Sequence, residues 1–152
     1  MNFSEIYPNL YVGSAPHEDE DLSNFDALVL TAREWQMPST RFPVEVLRVP
    51  LLDGVWLHGR AVTPPMTREE IRIAVDAGKQ VAHWLSQGKR VLVTCWMGLN
   101  RSSLVAALAV LTLRPDLSVN TVIENIRVAR SEDALRNKHF LALLKSYAKR
   151  PH

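Results

Sequence analysis

The sequence contains one cysteine, and the residue types around it suit covalent chemistry: Cys95-Trp96-Met97-Gly98-Leu99-Asn100-Arg101-Ser102. A free thiol has a pKa of roughly 8.5, so only about 3% is thiolate at neutral pH. Convergent N–H donors and a nearby arginine favour the charged form and lower that pKa. A thiolate so formed can attack phosphorus as a covalent nucleophile. Arg101 offers a planar fork that grips two phosphate oxygens at once, which a lysine does not. Gly98 lets the backbone bend where a side chain would block the anion. The Ser102 hydroxyl can hydrogen-bond the sulfur and make it a better leaving group in a later step.

These side chains serve that purpose only if one small cup collects them. Val91-Leu92-Val93 is a short apolar run that fits a buried strand, and Leu104–Leu113 is an Ala/Leu/Val run long enough for a buried helix. A tight loop from strand to helix N-terminus aims its N–H groups, and the positive end of the helix dipole, at one point. Cys95 would sit at the floor of this cup and Arg101 at its rim. The plainer alternative is an inert buried cysteine with Arg101 on a helix surface by chance. That alternative has no need of the strand–loop–helix context in which the residues stand.

Chemistry of this kind needs one further group, to protonate the leaving alkoxide or phenoxide and later to activate water. Asp53 is the candidate, because it follows a strand pattern and precedes the helix that leads into the cup. Its surroundings, Pro50 to Gly59, read as a loop marked by Gly54, Gly59 and the later Pro64-Pro65. Asp-Gly is also a common turn pair, which is the competing role for Asp53. Trp56 and Trp96 could line the mouth and stack on an aryl phosphate, or simply pack. His58 reads as a solvated loop residue and Thr94 as the end of its strand.

In chain order, Ser4–Ile6 and Leu10–Val12 read as two strands around the turn Tyr7-Pro8-Asn9. His17–Asp26 is acidic and polar, a short surface helix or loop. Asp26–Thr31 is a buried strand candidate, and Val44–Val49 alternates like another. Thr67-Arg68-Glu69-Glu70 has capping-box form and opens an amphipathic helix through Ile71, Val75, Val81 and Leu85. Gly78 weakens its middle and Gly88 ends it. Arg114-Pro115 stops the helix after the cup. Ser118 caps another helix, with Val119, Val122, Ile123 and Ile126 on one face. A last helix carries Phe140, Leu141, Leu144 and Tyr147.

At 152 residues, with 47% hydrophobic and 22% charged residues, the chain suits one soluble domain spanning 1–152. A net charge of +2 with scattered Lys and Arg gives no basic track for nucleic acid. The N-terminal stretch lacks the basic flank and apolar core of a signal peptide, and no run approaches the ~20 apolar residues of a membrane span. A single cysteine excludes an internal disulfide and suits a reducing compartment, so the expected location is cytoplasmic. The five His are dispersed without ligand spacing, so no metal and no cofactor is expected.

The Cys95–Ser102 stretch resembles the signature loop of the cysteine-dependent protein tyrosine phosphatases, particularly the compact dual-specificity class. That pattern runs His-Cys, two residues, Gly, two residues, Arg, Ser/Thr. Here only the first element departs from it, with Thr94 in place of the His that helps tune the thiolate. The phrase Ile6 to Ala15 resembles the opening of the same domains, and Asp53 lies in the loop where they keep their general acid. Arg130 is similar to a late arginine that braces the family fold, and Asn137 and Phe140 match its final N-x-x-F segment, read as structural.

The resemblance implies an α/β fold: a small twisted, mostly parallel sheet with helices on both faces and the phosphate loop between a central strand and a helix. It implies hydrolysis of phosphate monoesters through phosphocysteine. Cys95 would be the nucleophile, Asp53 the general acid and then base, and Ser102 an aid to the second step. Arg101 and the backbone amides of Trp96, Met97, Gly98, Leu99, Asn100 and Arg101 would bind the phosphoryl group. The expected partner is a phosphorylated protein met by a monomer, with phosphotyrosine alone as substrate if the pocket is deep and phosphoserine and phosphothreonine as well if it is shallow.

Phosphoinositide phosphatases usually carry Lys within the loop, and Trp96, Met97, Leu99 and Asn100 supply no charge. RNA 5′-triphosphatases of the superfamily share the string Gly98-Leu99-Asn100-Arg101 but call for a basic track. A glucan phosphatase would need a carbohydrate module for which the chain has no room. A rhodanese-like sulfur or arsenate enzyme would need neither Asp53 nor the opening phrase. A phosphate-binding module without catalysis is the remaining alternative, motivated by Thr94.

Overall fold

The structure, a computed structural model, describes residues 2–17, 19–38 and 44–150. Its main sheet has five strands in the order β1-β2-β7-β3-β4. These are β1 (Phe3–Tyr7), β2 (Leu10–Gly13), β3 (Ala27–Ala32), β4 (Glu45–Leu51) and β7 (Val91–Thr94). β1 pairs β2 antiparallel, whereas β2–β7, β7–β3 and β3–β4 are parallel. The sheet is therefore mostly parallel, as expected, and β7 is its middle strand. β3 and β7 are buried along their whole lengths, which is why they read as unbroken apolar runs rather than alternating ones.

Four helices flank the sheet: α1 (Arg68–Ser86), α2 (Arg101–Leu113), α3 (Val119–Ala129) and α4 (Lys138–Ala148). The capping box of α1 is formed, with Thr67 and Glu70 each bonded to the other's backbone N–H. The buried face of α1 centres on Ala74, Ala77, Val81 and Trp84, and Ile71, Val75 and Leu85 flank it half-buried. Gly78 belongs to that face: a Cβ there would lie 2.6 Å from the Leu108 Cβ, so its lack of a side chain lets α1 lie close against α2. α2 is buried from Arg101 to Leu111, an apolar helix closed in on all sides. Each fully buried Leu or Val contributes about 2 kcal/mol, so this helix is a rigid anchor for whatever its N-terminus holds.

The helices are distributed differently from the expectation of one layer on each face. All four pack into one cluster with Leu10, Val12, Val29, Val49 and Val93. The opposite face presents Leu28, Leu30 and Leu92, because neighbouring strand residues point to opposite sides. Among the described residues Leu22 and Phe25 cover it, from the segment between β2 and β3. That segment, His17–Asp26, forms turns rather than a helix, and Glu18 lies outside the described residues. No helix among the described residues is long and apolar enough to cross a membrane.

A second difference lies beyond Asp53. The stretch read as a loop contains a small antiparallel hairpin, β5 (Val55–Leu57) with β6 (Arg60–Val62). Its turn is His58-Gly59, with φ of 50° and 74°, the left-handed pair that two-residue hairpin turns demand.

Candidate active site

The parallel strands all end at one edge of the sheet, where ligand sites of such folds lie. Gly13, Leu30 and Thr94 stand in register there. The segments that leave β3, β4 and β7 converge on a cleft of about 630 Å³ lined by residues including Glu34, Asp53, Trp56, Cys95 and Arg101.

The cup after β7 is built by its backbone. The Trp96 carbonyl accepts from Ala15 N–H at 3.2 Å and the Leu99 carbonyl from Leu135 N–H at 3.0 Å. The Met97 and Gly98 carbonyls accept from Arg130, Nη2 at 3.1 Å and Nε at 3.0 Å. The Asn100 carbonyl accepts from Leu104 N–H inside the first turn of α2. Every carbonyl from Trp96 to Asn100 is thus turned outward and paired. Among the described residues, no hydrogen bond engages the amide N–H groups of Trp96 through Arg101. Asn100, the N-cap residue of α2, makes no side-chain cap bond, which leaves the helix N-terminus open to the cup as well.

Gly98 is what lets the loop close. Its φ is +70°, and a Cβ there would lie 2.5 Å from the Gly13 carbonyl carbon and 2.7 Å from Arg130 Nη2. Arg130, expected to brace the fold, braces the cup itself. Burial works against the charge of Arg130 and lowers its pKa, with the Cys95 charge opposing in part.

Cys95 is buried at the floor, 4% exposed, with its sulfur 3.2 Å from Ser102 Oγ. The Thr94 hydroxyl turns away and donates to the Val29 carbonyl at 3.1 Å, while the Thr94 carbonyl accepts from Thr31 Oγ1 at 2.7 Å. Thr94 therefore ties β7 to β3 and lends nothing to the sulfur.

Arg101 is buried, and its pairing was not legible in the sequence. Nη1 and Nη2 form a two-pronged ion pair with Glu34 at 2.7 and 2.6 Å, and Nη1 also donates to the Leu51 carbonyl at 3.0 Å. Nε is buried with no partner among the described residues. Of the five guanidinium N–H groups, the free ones are therefore on Nε and Nη2, a pair suited to two oxygens of one anion. Burial is the largest influence on Arg101 and opposes its charge. The Glu34 hydrogen bond and the negative charges of Cys95, Glu34 and Asp53 outweigh it, so its pKa is raised. The Arg101 hydrogen bond in turn holds the Glu34 carboxyl below its ordinary range.

Asp53 lies across the cleft. Its loop is pinned by Leu52 N–H, which donates to Glu70 Oε2 at 3.0 Å; the other Glu70 oxygen serves the capping box. The carboxylate accepts from Asn100 Nδ2 at 2.9 Å on one oxygen and from Asn137 Nδ2 at 2.8 Å on the other. Trp56, Trp96 and Met97 stand exposed around the mouth (75%, 54% and 64%), and Trp96 packs edge-on against Trp35 with ring centres 5.6 Å apart. His58 is exposed at the hairpin turn.

The arrangement can hold a tetrahedral anion against a thiol, with a carboxyl group on the far side. No protein-family model matches the sequence, and no curated protein matches it. Solved structures do match over almost the whole chain. Tk-PTP in its active form is 22% identical, with a TM-score of 0.76 over 98% of this chain and 97% of that one. A mouse putative dual specificity phosphatase, complexed with zinc tungstate, is 25% identical, with a TM-score of 0.77 over 97% and 86%. The chain has the fold of the compact dual-specificity phosphatases. The resemblance in the opening phrase, the Asp53 loop and the cup thus extends to the whole architecture. A further neighbour, a human tyrosine phosphatase-like serine/threonine/tyrosine-interacting protein, is 16% identical at a TM-score of 0.75 over 95% and 94%.

Proposed function

We propose that the protein hydrolyses phosphate monoesters through a phosphocysteine, acting on phosphotyrosine and also on phosphoserine or phosphothreonine of protein substrates. The observation that carries this reading is the cup itself: paired carbonyls outside, unpaired amides inside, and an unpartnered Arg101 Nε above a buried thiol. Amides and guanidinium bind the three non-bridging oxygens and stabilise the charge that grows on them. The Cys95 thiolate attacks phosphorus, the ester P–O bond breaks, and Asp53 gives its proton to the leaving oxygen. Asp53, now a carboxylate, takes a proton from water as that water attacks phosphorus. The P–S bond breaks, and the departing thiolate is met by the Ser102 hydroxyl.

Support for an aromatic phosphoester comes from the exposed Trp56, Trp96 and Met97 at the mouth. Among the described residues lining the cleft, Arg101 is the one Lys or Arg, which speaks against polyphosphorylated lipids and RNA 5′ ends. We read residues 1–152 as one catalytic domain, a cytoplasmic monomer that meets phosphoproteins and works without cofactor.

Turnover of para-nitrophenyl phosphate in chelator, across pH, tests the reading. The expected result is an active wild type, a dead Cys95→Ser, and an Asp53→Asn that is slower by about a hundredfold and lacks the basic limb of the profile. One observation favours a second reading: Thr94 turns its hydroxyl away, leaving the sulfur, among the described residues, Ser102 alone as side-chain partner. A wild type that is inert yet binds vanadate would make the protein a phosphate-binding module.

A further inference from the structure

Asp53 is held by two amides that come from separate parts of the chain, and the direction of each amide is fixed. The Asn137 carbonyl oxygen Oδ1 caps α4, accepting from His139 N–H at 2.9 Å and Phe140 N–H at 3.2 Å. The Asn100 Oδ1 accepts from Arg136 N–H at 2.8 Å and Asn137 N–H at 3.3 Å. With both oxygens committed to backbone donors, both Nδ2 groups face Asp53, one on each carboxylate oxygen. Asn100 belongs to the cup and Asn137 is 5% exposed, so the clamp is part of the framework rather than a surface contact.

We propose that Asn100 and Asn137 are positioning residues that fix the plane of the Asp53 carboxyl for proton transfer. The inference rests on the reading of Asp53 as general acid. Each carboxyl oxygen has two lone-pair sites, and the clamp occupies one on each. The proton Asp53 carries is thereby confined to the sites the amides leave free. Because Asn100 precedes Arg101, the same residue that shapes the phosphate cup sets the position of the acid. Proton donor and phosphoryl group are then held by one rigid body. A proton transfer that depends on such alignment loses rate steeply when the donor swings free.

Asn137→Ser separates positioning from folding, because serine caps a helix but is too short to reach Asp53. The measurement is kcat/KM for a series of aryl phosphates, from activated esters with acidic phenols to phenyl phosphate, whose leaving group needs the proton most. The wild type is expected to show a shallow dependence on leaving-group acidity and Asp53→Asn a steep one. Asn137→Ser should steepen it, losing about tenfold more on phenyl phosphate than on the activated ester. The double variant should match Asp53→Asn, because the amide acts only through the carboxyl. A uniform loss across the series would mark Asn137 as merely structural and overturn the proposal, as would a double variant steeper than Asp53→Asn. If Asp53→Asn itself leaves the dependence shallow, Asp53 is not the acid and the clamp falls with it. Should Asn137→Ser not fold, Asn137→Thr, which also caps a helix and is likewise too short to reach Asp53, is measured on the same series and distinguishes the same outcomes.

Discussion

The two sides of the cleft are built in opposite ways. The cup is contiguous, Cys95 to Ser102, and its binding surface is backbone whose carbonyls are pulled outward by Ala15, Arg130 and Leu135. The opposite side is the Asp53 loop, whose decisive contacts are side chains arriving from 47 and 84 residues away, Asn100 and Asn137. A site made of backbone needs a particular glycine and a particular spacing, so it is written in the sequence as a motif. A site made of distant side chains leaves no local pattern. The first should fail abruptly when its geometry is broken, and the second should fail by degrees and by substrate.

Gly98→Ala breaks the first most severely. The new Cβ would lie 2.5 Å from the Gly13 carbonyl carbon on a backbone at φ +70°. Either the cup opens or β2 shifts, and the amides lose their common focus. Loss of even one such donor costs about a hundredfold or more in rate, and several are displaced here. We expect turnover of para-nitrophenyl phosphate and vanadate binding to vanish together, with about 1–3 kcal/mol of strain lowering the melting temperature. A Gly98→Ala variant that still binds vanadate would show that the cup tolerates a different backbone.

Arg130→Ala should be milder and sharpens the contrast. It removes the donors to the Met97 and Gly98 carbonyls without touching the inward amides. Hydrogen bonds to a charged group contribute about 1.5–3 kcal/mol, so a measurable drop in stability is expected. Vanadate affinity should weaken, and turnover should fall across every ester alike, whereas changes on the Asp53 side should discriminate between leaving groups. Vanadate titration beside the leaving-group series separates the two signatures.

This contrast also explains what the sequence made legible. The β7–cup–α2 unit, the capping box at Thr67 and Glu70, and the position of Asp53 follow local rules of spacing and periodicity. The β5–β6 hairpin was hidden because its strands are three residues each and mostly exposed, leaving no apolar alternation to read. Glu34 was hidden because nothing around Arg33-Glu34-Trp35 points to Arg101, 67 residues on. Asn137 was legible as part of the final N-x-x-F segment, but its amide bond to Asp53 exists only once α4 is packed beside the Asp53 loop. Among the described residues no helix lies on the face of Leu28, Leu30 and Leu92: Leu22 and Phe25 cover it, with Met37 and Val44 half-buried beside them, and two large apolar residues between β2 and β3 are too few for a helical stripe.

The Glu34–Arg101 pair gives the smallest effect and tests whether the rim is held by charge. The Arg101 side chain is 8% exposed, whereas that of Glu34 is 49% exposed, so solvent screens the pair from one side. The Glu34 carboxyl titrates lower in the folded protein than its ordinary value, chiefly through the Arg101 hydrogen bond. A depressed folded pKa contributes stability that is complete above the ordinary carboxylate range and is lost as pH falls through the lowered value. Glu34→Gln should therefore melt below the wild type at neutral pH by an amount equivalent to about 1 kcal/mol or less. The gap should close on acidification, because the wild type then also carries an uncharged group at this position. A gap of constant size from neutral to acid would mean that Glu34 acts through shape and hydrogen bonding alone. The orientation of Arg101, with Nε left for the anion, would then be set by burial and by the Leu51 carbonyl instead of by its carboxylate partner.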